Sequence, residues 1–167
     1  MKPKEVTSRI YGPVPSWRLG RSLGVDIIPF KTCSFNCIYC ELGRTTNLTV
    51  ERKEYVSTGT VIEELKTFLS KTKRSIDYIT ISGSGEPTLN SKIGEMVEEI
   101  KKVTDIPVTI LTNGSLLNIK EVRQELREAD VVLPSLDTVS QSIFECINRP
   151  HPSIKIGEII KGMIEFR

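Results

Sequence analysis

The sequence predicts an α/β fold built around a parallel sheet. Short β-rich runs alternate with amphipathic helical stretches, and Gly, Pro, Asn or Asp stand at most of the junctions. Parallel neighbours need crossover connections, and helices in those crossovers cover the sheet. The chain starts with a Pro- and Gly-punctuated stretch, Tyr11-Gly12-Pro13-Val14-Pro15. Residues 1–23 are expected to form a leading segment, followed by a core domain over 24–167. Residues 25–28 read as the first strand, with Pro29 limiting its end. Thr60-Val61-Ile62-Glu63 has a capping-box pattern and opens a helix whose Val61, Leu65, Phe68 and Leu69 share one face. The basic run Lys71-Thr72-Lys73-Arg74 falls where that helix should end, a position the helix dipole favours for cations.

The alternation continues with a strand over 76–82, then a helix carrying Ile93, Met96, Val97 and Ile100 on one face. A strand over 108–112, a helix through Val122 and Leu126, and a strand over 131–136 follow. Helical stretches over 140–147 and 156–166 come last. No further strand is readable, so the fourth strand is expected to leave one edge without a partner.

The 167 residues, 38% hydrophobic and 26% charged, are enough to bury one core and argue against disorder. No apolar run approaches the roughly 18 residues a membrane span requires, and Met1-Lys2-Pro3-Lys4-Glu5 lacks the apolar stretch of a secretory signal. No membrane association and a cytoplasmic location are expected. Lys and Arg number 23 against 21 Asp and Glu, a net charge of +2, far from the excess of a dedicated nucleic-acid binder. Three of the 4 cysteines fall between positions 33 and 40, which suits metal or redox chemistry better than a disulfide framework.

Cys33, Cys37 and Cys40 have C-x3-C-x2-C spacing directly beyond the first expected strand. Thiolates are the usual ligands of iron–sulfur clusters, and a cubane with three protein ligands leaves one iron open. A zinc site would need a fourth ligand, Cys146 or His151. A cysteine-rich helical face is the other alternative, because positions 33, 37 and 40 are spaced for one. In parallel α/β folds ligands gather at the carboxyl ends of the strands. Beyond the second expected strand stands Gly83-Ser84-Gly85-Glu86-Pro87, whose glycines suit either a close backbone approach or an ordinary turn. Thr112-Asn113-Gly114 follows the third and reads as a tight turn or a binding site, since no hairpin partner comes after it. Ser135 and Asp137 close the fourth, as helix caps or as ligands. His151, within Arg149-Pro150-His151-Pro152, reads as a solvent-facing loop histidine rather than an acid–base group. Cys146 reads as a buried small hydrophobe, and Trp17 as packing for the leading segment.

The cysteine spacing, with aromatic Tyr39 just before the third cysteine, resembles the radical S-adenosylmethionine superfamily. Tyr11-Gly12-Pro13-Val14-Pro15-Ser16, Arg18-Leu19-Gly20-Arg21-Ser22-Leu23-Gly24 and Lys31-Thr32-Cys33 are similar to a branch grouped with wyosine-type tRNA-base synthases. The resemblance implies a partial parallel (β/α) barrel, truncated here after about four of its usual six strands, with another chain or an oligomer completing it. It implies that Cys33, Cys37 and Cys40 hold a [4Fe-4S] cluster and that S-adenosylmethionine is the second cofactor, with Tyr39 beside it. Gly83, Ser84, Gly85 and Glu86 resemble the Gly-Gly-Glu element that receives the methionine amino group, with Ser84 inserted between the glycines. Asn113 and Ser135 are implied as polar contacts, and Asp137 as a partner of ribose hydroxyls, since an ionised carboxylate does not suit an anion. The implied activity is an oxidoreductase or transferase type. Reductive cleavage of S-adenosylmethionine yields a 5′-deoxyadenosyl radical that abstracts a substrate hydrogen, and a low-potential electron donor serves as partner. The finer match implies a tRNA base as substrate, beside a protein activated through a glycyl radical or a small molecule. A zinc-stabilised binding domain is the non-enzymatic alternative.

Overall fold

The structure, a computed structural model, describes residues 8–167. In chain order its strands and α-helices are β1 (Ile10–Ser16), β2 (Gly20–Val25), β3 (Thr32–Cys33), β4 (Asn47–Leu48), α1 (Thr58–Lys71), β5 (Tyr78–Ile81), α2 (Ile93–Val103), β6 (Val108–Thr112), α3 (Lys120–Leu126), β7 (Val131–Pro134), α4 (Gln141–Ile147) and α5 (Ile156–Phe166). A short 3-10 turn, Pro87–Leu89, lies between β5 and α2. The main sheet has the order β1-β2-β5-β6-β7, parallel from β2 to β7, with β1 antiparallel at one edge. Among the described residues β7 pairs with β6 alone and forms the other edge, as expected. This is the α/β fold with a mostly parallel sheet that the alternation predicted, and it matches a partial (β/α) barrel.

Three local expectations are corrected. The Pro-rich stretch forms β1, and β2 runs through residues 23 and 24 with β1 on one side and β5 on the other. The first parallel strand lies earlier than 25–28, because Asp26 Oδ1 accepts the Ile28 N–H at 3.2 Å and turns the chain out of the sheet. Helix α1 starts at Thr58, where the Ser57 side chain accepts from the Thr60 N–H at 3.3 Å. Thr60 is therefore the capped residue and not the cap. The basic run does follow the helix end, with Thr72 as C-cap.

The two faces of the sheet differ in chemistry. Leu23, Val25, Ile79, Ile81, Val108 and Ile110 stand in register on one face and are fully buried. Onto them pack Val61 and Leu65 of α1, Met96, Val97 and Ile100 of α2, and Val122 and Leu126 of α3. Each such side chain contributes about 1.5–3 kcal/mol on burial. The opposite face carries small and polar groups. Ser22 Oγ and Thr80 Oγ1 are 2.6 Å apart, and the Tyr11 ring lies over Gly24, where a Cβ would sit 2.0 Å from the ring carbon Cζ. The Tyr11 hydroxyl reaches Ser82 Oγ at 2.8 Å.

A second, smaller core joins Phe35 to Phe144, Ile154, Ile156 and Ile159, with Cys33 and Cys37 packed against it. Phe35 and Phe144 meet edge to face at 5.2 Å, a favoured aromatic geometry. Among the described residues no helix is long and apolar enough to cross a membrane.

Candidate functional site

The cysteine loop leaves β3 as irregular backbone, turned by a Cys40 N–H to Cys37 carbonyl bond of 3.2 Å. The helical-face alternative is therefore excluded. The loop is stitched to the far end of α4: Asn36 N–H donates to the Asn148 and Arg149 carbonyls at 3.0 and 3.1 Å, and Ile38 N–H to the Ile147 carbonyl at 2.9 Å. His151 N–H donates to the Ser34 carbonyl at 2.8 Å. From the other side, Thr45 Oγ1 donates to the Phe35 carbonyl at 2.7 Å.

A cavity of about 280 Å³ opens where this loop meets the carboxyl ends of β5, β6 and β7. Cys33, Cys37, Cys40, Tyr39, Gly83, Gly85, Glu86, Asn113, Ser135 and Asp137 all line it. Ser84 does not: its hydroxyl donates to the Asp26 carboxylate, and its carbonyl accepts the Lys31 N–H at 2.7 Å. A larger groove, of about 650 Å³, lies between β1 and α1 and holds none of the predicted site residues. Volume alone does not mark the site; the convergence of chemical groups does.

The glycine-rich turn lies directly against the root of the cysteine loop. A Cβ on Gly85 would sit 1.7 Å from the Thr32 carbonyl oxygen, and Glu86 N–H donates to that oxygen at 3.2 Å. Only glycine permits this approach. The Glu86 side chain is fully buried and turned to Thr88, Thr112 and Asn113. It accepts from Thr88 N–H at 3.0 Å, from the Thr88 and Thr112 hydroxyls at 2.6 Å each, and from Asn113 N–H at 2.7 Å. Burial raises its pKa against the pull of these bonds. Glu86 thus fixes the backbone of Asn113, whose side-chain amide donates to Ser34 Oγ at 2.9 Å and to Cys33 Sγ at 3.7 Å.

Each thiol sits in a different field. Burial, aided by the Glu86 charge, pushes Cys33 up to about 12. Cys37 accepts from Asn148 Nδ2 at 3.6 Å. Burial would raise Cys40 as well, but the hydrogen bond and charge of Lys31, with Nζ at 3.1 Å from Sγ, bring it below the ordinary thiol value. Tyr39 donates to Asp137, and Asn148 Nδ2 donates to both, at 2.9 Å to the phenol and 2.7 Å to the carboxylate. Burial and its hydrogen bonds hold the Tyr39 phenol well above its usual range.

Ser135 and Asp137 are not the caps of α4, whose N-cap is Ser140 without a side-chain bond. Cys146 is exposed and not buried, because α4 turns Phe144 and Asn148 inward and leaves position 146 outside. Trp17 is fully exposed at the tip of the β1–β2 hairpin, so it packs against nothing there. His151 Nδ1 pairs with Ser153 Oγ at 2.8 Å, and neither His151 nor Cys146 lines the cysteine cavity. Among the described residues no three His, Cys, Asp or Glu side chains gather closely enough for a single metal ion. Asn148 and Lys31 were not singled out as site residues. Asn148, the C-cap of α4, is buried four positions after Phe144 on the same side, a spacing that marks it as inward-facing but not as a site residue.

The model of the Radical SAM superfamily matches residues 27–167. A protein of Brachyspira hyodysenteriae named GTPase Obg is 50% identical over 99% of this chain, which spans 24% of that protein. A UPF0026 protein of Methanocaldococcus jannaschii is 42% identical over 94% of this chain and 49% of its own length. A GTP 3′,8-cyclase of Peptoclostridium acidaminophilum is 31% identical over 77% of this chain and 38% of its own. The chain thus spans half or less of each of these relatives. It has no G-x-x-x-x-G-K-[ST] phosphate loop of its own.

Proposed function

The chain belongs to the radical SAM superfamily, and on that premise we propose that Cys33, Cys37 and Cys40 hold a [4Fe-4S] cluster beside a binding site for S-adenosylmethionine. The observation that carries this reading is the single cavity shared by the three thiols and the polar ends of β5, β6 and β7. The donor set fits the cluster: three thiols that line one cavity, each with a side-chain nitrogen within 3.7 Å of its sulfur, leave one iron for an outside ligand. When bound, the reduced cluster supplies the electron that cleaves S-adenosylmethionine to methionine and a 5′-deoxyadenosyl radical, which takes a hydrogen atom from the substrate.

The chain's own residues bind and orient. Gly83 and Gly85 line the cavity and offer backbone to the methionine end, and Asn113, its backbone tied by Glu86, keeps that wall rigid. Ser135, exposed at the rim, offers a hydroxyl. Asp137 already accepts from Tyr39 and Asn148 and suits ribose hydroxyls as further donors. The substrate lies over the polar face of the sheet, next to Tyr11, Ser82 and the exposed Leu111. A nucleotide base, in tRNA or free, is the class suggested by the wyosine-type resemblance and by the cyclase relative. A low-potential donor supplies the electron, and a further segment or chain pairs with the β7 edge.

Anaerobic loading with iron and sulfide, reduction, and addition of S-adenosylmethionine test this reading. 5′-Deoxyadenosine forms with the wild-type chain and is lost with Cys37→Ala; equal formation by the substituted protein refutes the ligand assignment.

A further inference from the structure

The three thiols differ in what donates to them. Cys33 and Cys37 receive neutral amide groups, from Asn113 at 3.7 Å and Asn148 at 3.6 Å. Cys40 receives an ammonium, Lys31 Nζ, at 3.1 Å. Lys31 is only 3% exposed, and its ammonium pairs with no carboxylate among the described residues. A buried charge without a counter-charge is costly, so this side chain needs an anion where it stands. Its backbone is equally committed. Lys31 has φ +59°, a left-handed conformation that a lysine adopts at a cost. Its N–H is held by the Ser84 carbonyl at 2.7 Å, and its own carbonyl accepts from Thr46 and Asn47 at 3.2 and 3.1 Å. The clamped backbone delivers the side chain to Cys40, a position where glycine would meet the turn but could not carry the charge.

We propose that Lys31 sets the reduction potential of the cluster held by Cys33, Cys37 and Cys40, as a fixed positive charge on the Cys40 ligand. The inference rests on the cluster reading above. Reduction moves one electron from a low-potential one-electron donor into the cluster; no bond forms or breaks and no proton moves. The step adds one negative charge to the cluster and its thiolates. A cation hydrogen-bonded to one of those sulfurs stabilises the reduced state more than the oxidised one, and hydrogen bonds and net charge are the protein's levers on such potentials. Lys31 is thus a positioning residue for the electron and does not touch the substrate.

The test is a redox titration of the loaded full chain, followed by electron paramagnetic resonance with dithionite as reductant and without substrate. Lys31→Met loads iron and sulfide as the wild type does, and its midpoint potential falls below the wild-type value. Lys31→Arg, which keeps the charge, stays near wild type, and Asn148→Ala shifts less than Lys31→Met. A loaded Lys31→Met chain with the wild-type potential overturns the proposal. Where Lys31→Met does not load, Lys31→Gln, which keeps an N–H for Cys40, replaces it, and a lowered or unchanged potential decides in the same way. Failure of both neutral variants to load while Lys31→Arg loads makes Lys31 a structural tie and also overturns it. A wild-type chain that takes up no cluster overturns the cluster reading itself, and this inference with it.

Discussion

The aliphatic core under α1, α2 and α3 is assembled largely from successive strand–helix units, whereas the cysteine loop is closed against α4 by partners over a hundred residues away, such as Asn148 on Cys37, 111 positions apart. From β5 onward each parallel strand is joined to the next through one helix, so those contacts close short loops. The second region closes one long loop, a larger entropic cost that is met only once α4 and α5 are in place. The two regions should therefore behave as separate cooperative units, with the cysteine loop the less stable.

Substitutions in the two regions can break this contrast. Gly85→Ala has the largest effect, because its new methyl meets the Thr32 carbonyl, a backbone atom that cannot yield. It should cost about 3 kcal/mol in denaturant unfolding and abolish iron uptake. Phe144→Ala removes the ring that faces Phe35 and should cost about 3 kcal/mol locally. Hydrogen exchange then accelerates at residues 34–38 and 148–151 while β5 and β6 stay protected; uniform acceleration contradicts the two-unit account.

Alkaline and acid pH should separate the regions as well. In the metal-free protein the Cys33 thiol is raised from 9.0 to about 12 by burial, so the stability it contributes is complete below 9 and is lost as pH climbs toward 12. Cys33→Ser should flatten that alkaline limb. At the surface beside the main core Asp130 accepts from the Val108 N–H at 2.7 Å and pairs with Lys101. Burial raises its carboxyl, but these partners outweigh it and leave the pKa below the usual value, so its contribution is present at neutral pH and lost in acid. Asp130→Asn should flatten the acid limb. Smaller still, Ser57→Ala should cost about 1 kcal/mol by uncapping α1, without altering iron uptake. Trp17→Ala should move neither unfolding nor iron uptake, because its ring meets only solvent.

The same contrast explains what could be read in advance. Ile93, Met96, Val97 and Ile100 repeat at helical spacing and all four are buried, because a helix packed on a sheet must show its period in the residues it hides. That the three cysteines share one cavity was legible in their spacing, which brings three thiols onto one loop. Asn148 and Lys31 were not, because a single polar residue acquires its role from what long-range closure brings beside it. Cys146 was misread for the complementary reason: its apolar neighbours Ile143 and Ile147 are themselves exposed or half-buried, and α4 hides only Phe144 and Asn148. Trp17 was misread because a hairpin tip gives an aromatic ring nothing to pack on.

The most direct test of the central claim is the iron content and electron paramagnetic resonance spectrum of the anaerobically loaded, reduced chain, recorded with and without S-adenosylmethionine. The account predicts a four-iron cluster whose signal changes when S-adenosylmethionine binds the open iron, and loss of that cluster in Cys37→Ala. A colourless protein that holds a single zinc ion, or a cluster whose spectrum ignores S-adenosylmethionine, would contradict it.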